Sequence, residues 1–178
     1  MSPQVIPLVG CLFTQMLDSS VGNTINEQSL IGSGVPSGNL LIPGNYLIPG
    51  RIFRFSAGGY YSTTNPPGTL QIKVKLGNTI VLDTGQKTPV GNCIAEFWSL
   101  NADIICQEAG VSGLIKGHGQ FIRSSAHSID VIDDLIYLTT PIAFDTTQQY
   151  LIDITAQWST QSISNMIIST NLTVLVIG

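Results

Sequence analysis

From Leu70 to Leu76 the chain alternates without a break: Leu70, Ile72, Val74 and Leu76 are apolar, and Gln71, Lys73 and Lys75 between them are polar. Successive side chains of an extended strand point to opposite faces, so this pattern specifies a strand with one buried side. Gly77-Asn78 follows, and Thr79-Ile80-Val81-Leu82 resumes an extended pattern. A glycine-bearing pair between two such runs predicts a hairpin. The same period returns where Tyr150, Ile152, Ile154, Ala156 and Trp158 alternate with Leu151, Asp153, Thr155 and Gln157. Leu172, Val174 and Val176 alternate with Thr173, Leu175 and Ile177. A strand apolar on both faces belongs in the middle of a sheet.

Further strands are expected at 52–56, 94–99, 104–107, 114–123, 136–140 and 165–169. Turn signals separate them: Gly58-Gly59, Asn65-Pro66-Pro67-Gly68, Asp83-Thr84-Gly85, Pro89-Val90-Gly91-Asn92 and the stretch 107–113. Glycine and proline recur too often for a helix of ordinary length. The one helical candidate groups Leu12, Phe13, Met16 and Leu17 on a face, and this stretch reads equally well as an N-terminal arm or strand. The doublet Leu41-Ile42-Pro43-Gly44 and Leu47-Ile48-Pro49-Gly50 marks a corner or an edge, because each proline removes a ladder donor. The expected fold is all-β, eight to ten short strands in a sandwich or barrel.

Charge is scarce. Only 18 of the 178 residues are Asp, Glu, Lys or Arg, where an ordinary soluble domain has about a quarter. The stretches 1–17, 28–50, 55–72 and 154–178 carry none. Thr, Ser, Asn, Gln and Gly interrupt the apolar runs throughout, and no run approaches the roughly 20 residues of a spanning helix. A surface of small uncharged polar groups is cheap to desolvate, because burying a charge costs far more than burying a hydroxyl. Such an exterior suits a subunit packed among neighbours, and points towards assembly and away from catalysis. The net charge is −4, and Arg51, Arg54, Lys73, Lys75, Lys87, Lys116 and Arg123 are scattered, so no nucleic-acid stripe forms. The N-terminus lacks a basic segment before its apolar residues, and no signal peptide is expected. Cys11, Cys93 and Cys106 contain no CxxC pair and read as free, mostly buried thiols.

Ile80 to Gly85 places Asp-Thr-Gly at the end of an apolar strand, in the manner of an aspartic protease. That chemistry needs two carboxylates sharing a proton, and this chain supplies one such triplet. Asp83 and Gly85 read better as turn residues. Asp130, Asp133 and Asp134 are the densest acidic cluster, without calcium-loop spacing, and read as a solvated loop. His118, inside Gly117-His118-Gly119, and His127 are the two histidines. No GxSxG elbow accompanies them, and a hydrogen-bonded structural role is expected. Trp98, Trp158, Tyr60, Tyr61 and Tyr137 could form a sugar-stacking platform, but Trp158 lies on the apolar face of its strand. Asn171-Leu172-Thr173 matches a glycosylation sequon inside an expected strand, a chance match. No catalytic residue, metal ligand or cofactor is expected.

Several stretches together carry a resemblance: 26–34, Leu41-Ile42-Pro43, 50–54, 70–77, Asp83-Thr84-Gly85, Phe144-Asp145-Thr146-Thr147 and 154–159. Over about residues 23–175 the chain resembles short β-rich virion proteins of tailed phages and large DNA viruses. The resemblance implies one jelly-roll domain at 23–178, a β-sandwich of about eight antiparallel strands, with an N-terminal arm at 1–22. It implies a structural protein of the capsid, of penton (five-fold vertex) or minor-capsid type, partnered by itself as a homopentamer and by other capsid proteins. The alternative it leaves open is a trimeric tail-fibre, head-fibre or decoration domain that holds a glycan.

Overall fold

The computed structural model describes residues 9–32, 40–125, 128–137 and 140–178, and of residues 125 and 128–137 the backbone alone. The first strands are β1 (Val9–Thr14), β2 (Ser19–Gly22), β3 (Gln28–Ser29) and β4 (Leu41–Ile42). Then come β5 (Ile52–Ser62), β6 (Leu70–Leu76), β7 (Thr79–Asp83), β8 (Glu96–Glu108) and β9 (Gly113–Ser125). The chain continues with β10 (Ser128–Tyr137), β11 (Ile142–Phe144), β12 (Tyr150–Trp158) and β13 (Met166–Ile177). An eight-stranded sheet runs β1-β13-β5-β8-β9-β10, with β2 also on β13 and β11 on β9. A five-stranded sheet runs β3-β12-β6-β7, with β4 also on β12. Every pairing is antiparallel.

The two sheets close over one core. Leu70, Ile72, Val74 and Leu76 of β6 are buried, with Ile152, Ile154, Ala156 and Trp158 of β12. The eight-stranded sheet contributes Phe53, Phe55, Trp98, Leu100, Ile104, Phe121, Leu172 and Val174 to the same cluster. Burying each such side chain is worth roughly 1.5–3 kcal/mol. Both indoles are satisfied: Trp98 Nε1 donates to Ile168 O at 2.9 Å, and Trp158 Nε1 to Val21 O at 3.3 Å. The hairpin of β6 and β7 turns on Gly77, whose φ of 58° is easy only for glycine.

Several expectations need correction. Residues 9–14 form β1, so Leu12 and Phe13 are strand residues and not one face of a helix. β1 and β2 lie along β13 on either side of Gln15, whose buried amide donates to Leu17 O and Ser169 O. Residues 1–8 of the expected arm lie outside the described residues. Gly58-Gly59 is no turn but the centre of the eleven-residue β5. β13 is irregular opposite it, between Ser169 and Asn171, and a Cβ on Gly59 would stand 2.0 Å from Ile168 O. Glycine is there for a close backbone approach at a bulge. The expected strands at 94–99 and 104–107 are one strand, β8, and those at 165–169 and after are β13. Asp130, Asp133 and Asp134 fall in β10 and not in a loop, and their side chains lie outside the described residues.

Candidate binding face and loop end

Four connections meet at one end of the sandwich: 23–26, 63–69, 84–95 and 159–165. Asn165, fully buried, ties 23–26 and 63–69 to its own connection, and Thr63 and Thr64 hold 84–95. Its Nδ2 donates to Pro67 O at 2.9 Å and Thr160 O at 3.1 Å, and its Oδ1 accepts from Thr64 N at 3.0 Å. Its own carbonyl accepts from Asn23 N at 3.1 Å. Thr63 Oγ1 donates to Val90 O at 2.5 Å, Asn92 N donates to Thr64 O, and Ser159 and Thr69 exchange two bonds. Gly68 sits at φ 71°, pressed against Ser159 and Thr160. Backbone groups satisfied this fully hold the loops in one shape. The four segments carry one charged residue, Lys87. From them project Ile25, Ile94 and Ile163, 51%, 78% and 86% exposed.

The second feature is on the outer face of the eight-stranded sheet. Antiparallel register sets Arg54 of β5 opposite Asp103 of β8, and Asp103 opposite His118 of β9. Arg54 donates from Nε and Nη2 to the two Asp103 oxygens, each at 2.8 Å. His118 Nε2 stands 3.9 Å from Asp103 Oδ2. One row along, Ser56 lies opposite Asn101 and Asn101 opposite Gln120. Ser56 Oγ donates to Asn101 Oδ1 at 3.0 Å. Arg54, Asp103, His118, Asn101 and Gln120 rim an open groove of about 370 Å³ whose floor is Ala102 and Gly119. Small inward residues account for the depression. A Cβ on Gly117 would stand 2.9 Å from Val81 O, so glycine lets β9 lie close over β7 beside the groove. The Gly117-His118-Gly119 motif thus shapes a surface and presents its histidine outward, 52% exposed.

The other candidates disperse. Asp83 ends β7, where it accepts from Gln71 Nε2 at 2.8 and 2.9 Å and from Gly85 N at 2.7 Å. Thr84 Oγ1 accepts from Ile72 N at 2.9 Å, and Gly85 has φ 64°. This is the turn chemistry expected of the triplet. Trp98, Trp158 and Tyr61 are core residues, so they form no platform. The Tyr61 hydroxyl donates to Ser124 O at 2.7 Å, and burial pushes its pKa up to about 12. Tyr60 stays on the outer face beside Phe97, its cross-strand partner. His127 and the Tyr137 side chain lie outside the described residues. Cys11 is exposed, Cys93 and Cys106 are buried, and all three are free. Among the described residues, no three His, Cys, Asp or Glu side chains come together as a metal site.

Sequence reasoning passed over Asp103, Asn101 and Gln120, and took Arg54 as one scattered cation. Their signal is weak: each is a polar residue at an outward position, and only the register of three strands makes them neighbours. In comparisons with known proteins, no family model, no curated protein and no solved structure matches the chain.

Proposed function

We propose that the chain is a structural protein of a virion, a jelly-roll subunit that acts by assembling with copies of itself. Its place in this reading is the five-fold vertex, or a minor capsid position, of a large icosahedral DNA virus. The observation that carries it is the loop end: ordered, nearly uncharged, and tipped by three exposed isoleucines. Loops already held by hydrogen bonds lose little freedom when a neighbour covers them. Interface centres are depleted in charge for the desolvation reason given above.

Strand order supports the jelly roll. Let β1 and β2 count as one strand along β13, and β3 and β4 as one along β12, with β9–β11 as an insertion before β12. The remaining eight strands then pair first with eighth, second with seventh, third with sixth, and fourth with fifth. A ribbon of four antiparallel pairs rolled into two sheets is the jelly-roll winding. The resemblance described above points the same way.

Mass photometry of the purified chain tests the proposal. Five copies are expected, since one surface meeting another around a closed ring gives a defined number. Replacing Ile25, Ile94 and Ile163 together by Ser should release folded single copies. A wild-type chain that stays a single copy at every concentration overturns the assembly reading, and three copies overturn the vertex assignment.

A further inference from the structure

We infer that the groove formed by Arg54, Asp103, His118, Asn101 and Gln120 is a binding site for a neutral oligosaccharide, held through vicinal hydroxyls. The geometry comes from adjacent strands of one sheet, so it is present before any ligand arrives. The Arg54–Asp103 pair uses Nε and Nη2 of the guanidinium. Its Nη1 hydrogens stay outside the pair, and each carboxylate oxygen has a second lone pair. A donor and an acceptor therefore stand side by side, which is what two neighbouring sugar hydroxyls require. The bond from Ser56 engages the Asn101 oxygen, and Nδ2 remains as a further donor. Ala102 and Gly119 make a floor without bulky side chains, on which a ring can lie close to backbone.

Charge selects the ligand class. Arg54 is already paired with Asp103, and Asn101 and Gln120 are neutral, so the lining holds no permanent cation without a carboxylate partner. The volume falls at the lower end of the roughly 300–1,000 Å³ of small-molecule sites. Tyr60 and Phe97 lie on the same face, six residues along β5 and so about 20 Å from Arg54, where a longer chain could reach an aromatic ring.

The groove is distinct from the loop end, so glycan binding and copy number are separate readouts. The intact chain is applied to an array of neutral, amino-sugar and acidic glycans, and each hit is measured by calorimetry. Retention of neutral glycans is expected. Asn101→Ala and Asp103→Ala should each weaken a hit about tenfold or more, the loss of a hydrogen bond or two. Gln157→Ala, on the other sheet, should leave the affinity unchanged. Thermal melts and copy number of each variant show that the fold persists. An array with no retained glycan, retention of acidic glycans alone, or affinity that both groove variants preserve overturns the inference.

Discussion

On the outer side of the five-stranded sheet, Glu27 accepts from Lys73 at 2.6 Å, Lys75 at 3.0 Å and Thr155 at 2.9 Å, while Ser29 donates to Asp153 at 2.6 Å. On the outer side of the eight-stranded sheet, Asp103 takes the fork of Arg54 and faces His118. Exposure separates the two. The side chains of Lys73, Lys75 and Glu27 are 14%, 24% and 25% exposed; those of Arg54 and His118 are 51% and 52%. The first network is covered by its own chain and its acceptors are engaged there. In the second, Asp103 is 17% exposed and its two basic neighbours, Arg54 and His118, stand half in solvent above a groove. In a chain with so few charges, the difference separates charge used to hold strands together from charge placed where another molecule can reach it.

Three experiments bear on that contrast. The inner sides of the sheets are alike, so Trp98→Ala and Trp158→Ala should each cost about 3–5 kcal/mol in urea unfolding. A much smaller loss at either would mean that one sheet is less tightly packed than the other.

The next effect is on the covered network. Burial alone would raise the Glu27 carboxyl, but hydrogen bonds from Lys73, Lys75 and Thr155 outweigh it and lower the pKa from 4.5 to about 2. A depressed carboxylate stabilises the fold above its unfolded value, and that contribution disappears as pH falls from about 4.5 to 2. Glu27→Gln should therefore lower Tm by a few degrees at pH 7, with the gap to wild type closing across that window. Asp153 has the opposite sign, because burial raises its pKa, so the difference between variant and wild type is the quantity to follow. A gap independent of pH would mean that Glu27 acts by packing alone.

The smallest effect belongs to the open pair. Arg54→Ala should leave Tm within error of wild type, since solvent screens an exposed ion pair. A clear drop would make the pair structural and erase the contrast between the faces.

How much of this was legible depended on the range of the signal. The period-two runs at Leu70–Leu76 and Tyr150–Trp158 delimited β6 and β12 residue for residue, because burial on one face leaves its mark on each successive side chain. The Asp83-Thr84-Gly85 turn was equally local. Gly58-Gly59 misled, because a glycine that loosens a loop and a glycine that lets two backbones touch look the same in sequence. The isoleucines of the loop end gave no hint, since an isoleucine beside a strand is normally read as core.

Local chain chemistry by itself determined the all-β class, the hairpin, the inward face of each clear strand and the scarcity of charge, because each rests on neighbours within a few residues. Tertiary structure alone decided that Arg54, Asp103 and His118 stand in one row and that Asn165 binds three connections into one end. Those contacts join residues as far apart in the chain as Asn23 and Asn165, and they exist only once strand register is chosen by how the two sheets fill their shared core.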